Sequence, residues 1–162
     1  MAMSSPKKIR GCTGGNDTAG LVVVAASVNT KRGVDMPRNR RSAKAAGQRF
    51  ESLVTRYLRT TLDDDRIERR RLGGAGNDRG DISGLRHMGQ RIVIECKDYG
   101  GRLMASPWLN EAEIERGNDS AGVGIVVAKR RGTTDPGEQI VLMTLADLVS
   151  LMTGTHPDEE SA

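Results

Sequence analysis

Between residues 42 and 62 the apolar positions Ala46, Phe50, Leu53, Val54, Tyr57 and Leu58 recur at intervals of three and four. That spacing puts them in one stripe along an α-helix, which the polar run Asp63-Asp64-Asp65 ends. Ile67 to Leu72 reads as a strand whose outward positions are arginines. GGAGNDRG (73–80) then reads as a flexible, turn-rich loop. Residues 81–86 and 91–97 form two further strands around the turn HMGQ (87–90), which predicts a β-hairpin. A helix is expected over 106–116, with Ser106 as its cap and Pro107 in its first turn. Val123–Val127 is an apolar strand, RRGTTDPGE (130–138) a loop, Gln139–Met143 a last strand and Leu145–Met152 a short last helix.

The order is therefore helix, three strands, helix, strand, strand, helix. Neighbouring early strands are antiparallel, and the helix after the third strand allows a crossover to a parallel fourth. The fold class this predicts is α/β, a mixed sheet flanked by helices. Outside it lie a basic, flexible arm over residues 1–41 and an acidic, disordered tail over 154–162, with the folded domain at 42–153. Met36 opens MPRNRRSAKAAG, which reads as a protein start in its own right, so residues 1–35 are expected to be dispensable for folding.

Composition narrows the picture. Among 162 residues only Phe50, Tyr57, Tyr99 and Trp108 are aromatic, so the core has to be aliphatic. Cys12 and Cys96 are too few and too far apart for a disulfide framework, which points to a reducing, cytoplasmic setting. No apolar run reaches the length of a membrane span. Lys7, Lys8 and Arg10 ahead of LVVVAAS (21–27) imitate a signal peptide, but a polar GGNDT stretch separates them. Up to Ala45 nine basic residues face two acids, a balance of +7, whereas the remainder holds 16 basic and 19 acidic residues, a balance of −3. Nucleic acid would therefore meet the body through local patches, for which Arg69, Arg79, Lys129 and Arg130 are the candidates.

The stretch RIVIECKDY (91–99) holds the candidate chemistry. Side chains alternate faces along a strand, so Ile92, Ile94 and Cys96 share one face while Val93, Glu95 and Lys97 share the other. A three-residue loop closing His87 on Arg91 would pair Asp81 with Lys97 on that second face. A two-residue loop without a bulge would break the parity. Two carboxylates beside an ammonium, with the backbone carbonyl of Cys96 as a further oxygen, form a hard-donor site suited to Mg²⁺ or Mn²⁺. Such a site serves the attack of water on a phosphodiester. Lys97 is expected to stay protonated next to the carboxylates. Taken alone, Glu95 and Lys97 favour a salt-bridged pair on a wet sheet face. Asp81, and Glu51 on the preceding helix, tip the reading towards a metal site.

The segments GQRFE (47–51), GDIS (80–83) and VIECK (93–97) resemble the PD-(D/E)XK nuclease superfamily, and within it small phage-encoded Holliday junction resolvase-like nucleases. The resemblance runs from about Arg40 to Leu151. It implies a restriction-endonuclease-like fold, Asp81 and Glu95 as metal ligands, Lys97 as the catalytic lysine and Glu51 as the helix acid that completes the site. Arg79 and Gly80 stand before Asp81, where the motif's name has a proline. A Mg²⁺-dependent endonuclease acting on branched DNA as a homodimer, in the cytoplasm of a bacterial host, is what the resemblance implies. A restriction- or repair-type endonuclease, an exonuclease or a non-catalytic DNA-binding protein on the same fold are the alternatives.

Overall fold

A computed structural model describes residues 39–70 and 78–157. Expectations about LVVVAASV, most of the N-terminal arm, the glycine-rich loop and the acidic end lie outside the described residues.

Helix α1 (Arg40–Thr61) begins two residues inside the expected arm, because Asn39 caps it. Its Oδ1 accepts the Ser42 N–H at 2.8 Å. Six strands follow: β1 (Glu68–Arg69), β2 (Ile82–Ser83), β3 (Arg86–His87), β4 (Gln90–Lys97), β5 (Val123–Ala128) and β6 (Ile140–Leu142). Their spatial order is β1-β2-β4-β5-β6, with β3 pairing β4 alone. All neighbours are antiparallel except β4 and β5. Helix α2 (Ala105–Asn118) supplies the crossover that this parallel pair needs. The molecule is thus mixed α/β, with a mixed sheet flanked by helices.

β4 and β5 are buried almost throughout because both faces of the sheet are covered. Phe50 and Val54 of α1 pack with Ile92, Ile94, Cys96, Ile125 and Val127 on one face. Trp108 and Ala112 of α2 pack with Val126 and Ala128 on the other. Tyr99 stacks near Trp108, with ring centroids 5.3 Å apart. Trp108 is thereby a core anchor.

The hairpin corrects the expected register. Its loop is the two-residue turn Met88-Gly89, both with positive φ, so His87 pairs with Gln90 and Arg86 with Arg91. Farther along, Ile82 pairs with Ile94. Four steps on one strand therefore match three on the other, and the extra residue is a bulge around Gly84. Gly84 has φ +88°, and a Cβ there would lie 1.9 Å from the Arg66 carbonyl oxygen. The bulge restores the parity that the short turn breaks, but Asp81 comes level with Glu95 rather than Lys97.

Two boundaries also differ. α2 starts before Ser106, with Met104 at its cap and no side-chain cap bond. Helix α3 (Leu145–Thr153) is closed by a Thr144–Asp147 capping box and a left-handed Gly154. Residues 154–157 of the expected tail are ordered, and His156 is 2% exposed. Among the described residues no helix is long and apolar enough to cross a membrane.

A candidate metal centre at the end of strand β4

β4 brings Glu95 and Lys97 to one face, as its alternation demands, and both are almost wholly buried. Lys97 Nζ donates to Glu95 Oε1 at 2.7 Å and to Glu111 Oε2 at 2.7 Å. Asp81 enters from the edge. Its N–H donates to the Ile94 carbonyl at 2.9 Å, and its Oδ2 accepts the Cys96 N–H at 2.9 Å. The register sets Asp81 level with Glu95, so the two carboxyl groups act on each other. Two carboxyls that close have to share a proton or a cation. Lys97 turns its carbonyl to the loop after β5, where it accepts the Lys129 N–H at 2.9 Å. Alternation then sends the Cys96 carbonyl to the Asp81 edge, beyond the end of β2. Asp81, Glu95 and this carbonyl are a hard-oxygen donor set that fits Mg²⁺ or Mn²⁺.

The electrostatics follow from burial. Burial, and then the charges of Asp81 and Glu115, push the Glu95 carboxyl up to about 9 against the pull of Lys97. Asp81 is raised by burial, with the Cys96 N–H, Glu95 and Lys97 opposing. Burial works against the Lys97 ammonium, but its bonds to Glu111 and Glu95 outweigh it and raise its pKa. Lys97 is a cation at any working pH, as expected. The Cys96 thiol is pushed up by burial and is no nucleophile.

Glu51 reaches the same edge from α1, on the opposite face of the sheet. Its carboxyl is raised first by burial and then by the nearby charge of Asp81. Its Oε2, however, accepts from Arg69 Nη1 at 2.9 Å. Arg69, a candidate for DNA contact, is thus also the counter-ion of Glu51. Lys129 is similarly engaged, donating to Asp98 at 3.3 Å. Arg79 and Arg130 are exposed.

Two further acids of the site are absent from the sequence reading. Glu111 and Glu115, four residues apart on α2, point into it, and Glu115 is 2% exposed. Burial, and then the charges of Asp78 and Glu111, lift the Glu115 carboxyl to about 8. A signal for it exists in the sequence: Trp108, Ala112 and Glu115 fall on one helical stripe, so the apolar face contains an acid. Comparisons with protein-family models, curated proteins and solved structures find no match to this chain.

Proposed function

We propose that this chain is a metal-dependent endonuclease of the PD-(D/E)XK type, with a restriction-endonuclease-like fold, that hydrolyses phosphodiester bonds in branched DNA such as four-way junctions. The observation that supports it is the register that sets Asp81 level with Glu95, with Asp81 Oδ2 on the Cys96 N–H and Lys97 Nζ on Glu95 Oε1, since a sheet-surface salt ladder has no use for a second carboxyl there. Asp81, Glu95 and the Cys96 carbonyl would hold Mg²⁺ or Mn²⁺, which when bound supplies a Lewis acid and an acidified water. The Cys96 N–H orients Asp81, and Lys97 presents a fixed positive charge to the phosphoryl oxygens as they gain negative charge. Lys97 cannot be the base, because its neighbours hold its proton in place. Glu51, paired with Arg69, tunes the site through its charge.

The described residues form one sheet flanked by helices with the candidate site on it, which favours recognition of DNA shape by this body. Paired cuts across a junction require two sites, which a homodimer supplies. The test is cleavage of four-way junction, flap, linear duplex and single-stranded DNA with Mg²⁺ or EDTA. Glu95→Gln and Lys97→Ala are expected to lower cutting by at least ~10³-fold, within the range that one electrostatic group supplies, while binding persists. Full activity in both variants would falsify the site. Equal cutting of duplex and junction would leave a nuclease without the branched substrate.

A further inference from the structure

We propose that Glu95, Glu111 and Glu115 form a second divalent-cation site on the α2 side of Glu95, so that Glu95 is shared by two ions. The inference rests on the reading above for the first ion and adds two ligands from a different element.

Each of the three residues offers a carboxylate oxygen within 4.8 Å of the other two. An octahedral Mg²⁺ holds its oxygens at about 2.1 Å, so opposite ligands sit ~4.2 Å apart. Small side-chain adjustments close the difference. An acidic cluster alone would mean little, but Glu115 adds a separate observation. It is 2% exposed, and neither of its carboxylate oxygens has a hydrogen-bond partner among the described residues. Buried carboxylates are ordinarily paired, hydrogen-bonded or bound to metal. Glu115 cannot escape to solvent, because it sits on the stripe that Trp108 and Ala112 fix against β5. The chain also makes room for it: Gly80 lacks the Cβ that would stand 3.4 Å from Glu115 Oε2 and 2.6 Å from Val93 Cγ1.

The local charge points the same way. Among the described residues, Glu51, Asp81, Glu95, Glu111 and Glu115 meet only Lys97 and Arg69 as salt-bridge partners. Lys97 satisfies Glu95 and Glu111 and leaves Glu115 alone. With Glu111 engaged by a cation instead, Lys97 regains a free N–H for a phosphate oxygen. Glu111 is the open side of the site, its side chain 49% exposed, and gives an ion a way in.

The experiment is Mn²⁺ binding to the EDTA-stripped, full-length protein, followed by electron paramagnetic resonance, with DNA cleavage measured on the same samples. Wild type should bind two Mn²⁺ per chain, and Glu115→Gln and Glu111→Gln one each. Glu115→Gln should leave the metal-free melting temperature no lower than wild type, since it removes a buried acid without a partner. Glu111→Gln, on the exposed side of α2, keeps the test valid should the first variant misfold. A single Mn²⁺ in wild type, or two in both variants, overturns the second site and marks Glu115 as a protonated core acid. Two ions without cleavage overturn the nuclease reading alone, and cleavage with one ion overturns this inference alone.

Discussion

Glu95 and Glu115 are carboxylic acids held far from water, and that has a consequence for pH. Their ordinary value is near 4.5, and burial lifts them to about 9 and about 8. The folded state therefore holds protons that the unfolded chain releases. The stabilisation this confers is complete below about pH 4.5 and declines as pH rises, until it is gone above about pH 9. The metal-free protein should accordingly melt at progressively lower temperature from about pH 5 to about pH 9. Glu115→Gln should flatten that slope, and saturating Mg²⁺ should cancel most of it. Thermal melts across pH with EDTA or Mg²⁺ check this; a slope identical in wild type and variant would mean that Glu115 is ionised already. Lys97 contributes nothing to the slope, because its raised pKa keeps it charged throughout.

At the scale of elements, the site depends on one irregularity. The tight Met88-Gly89 turn would send Asp81 to the wrong face, and the Gly84 bulge returns it. Gly84→Ala combines a left-handed backbone with a Cβ 1.9 Å from the Arg66 carbonyl oxygen. It should cost more than the ~1–2 kcal/mol of a left-handed alanine alone and weaken metal binding by displacing Asp81. Gly89→Ala is the control: its φ is +84°, but nothing lies within 4 Å of a Cβ there. It should cost only that ~1–2 kcal/mol and leave metal binding unchanged. Urea denaturation and Mn²⁺ titration separate the two; equal effects would deny the bulge its part in the site. The hairpin, the parallel β4–β5 pair and the helices are legible from periodicity, which burial on two faces enforces. The bulge is not, since a glycine in a strand signals several different irregularities. The short outer strands read as too long for a related reason: β1 and β2 are two residues each, and alternation over so short a span is weak.

The whole molecule divides its charge unevenly. The first 38 residues hold six basic residues and two acids, while from Ala46 onward acids outnumber basic residues by 19 to 16. Five of those acids, Glu51, Asp81, Glu95, Glu111 and Glu115, gather at the candidate metal centre. DNA held over such a site needs positive charge from elsewhere. On the proposed function, exposed Arg79 and Arg130 would supply part of it, and the N-terminal basic residues would be the remaining reserve. Removing residues 1–36 should leave the melting temperature of the body unchanged, because a compact unit begins at Pro37. The same truncation should weaken DNA binding and make its salt dependence shallower, in proportion to the number of phosphates the arm neutralises. Fluorescence anisotropy over a range of salt measures both, and an unchanged slope would show that the arm stays clear of DNA.

Sequence alone determined the strand that presents Glu95 and Lys97 together, because an apolar face leaves alternation no freedom. It also placed the helices and allowed the parallel crossover, because helix and strand periods differ along the chain, but the single strand expected over 81–86 is split into β2 and β3. Tertiary structure decided which acids meet. Asp81 lies level with Glu95 through a bulge, Arg69 takes up Glu51, and Glu111 and Glu115 arrive from a helix that follows in sequence but packs back over β4. Periodicity assigns a residue to a face; only packing of one element on another sets what that face meets.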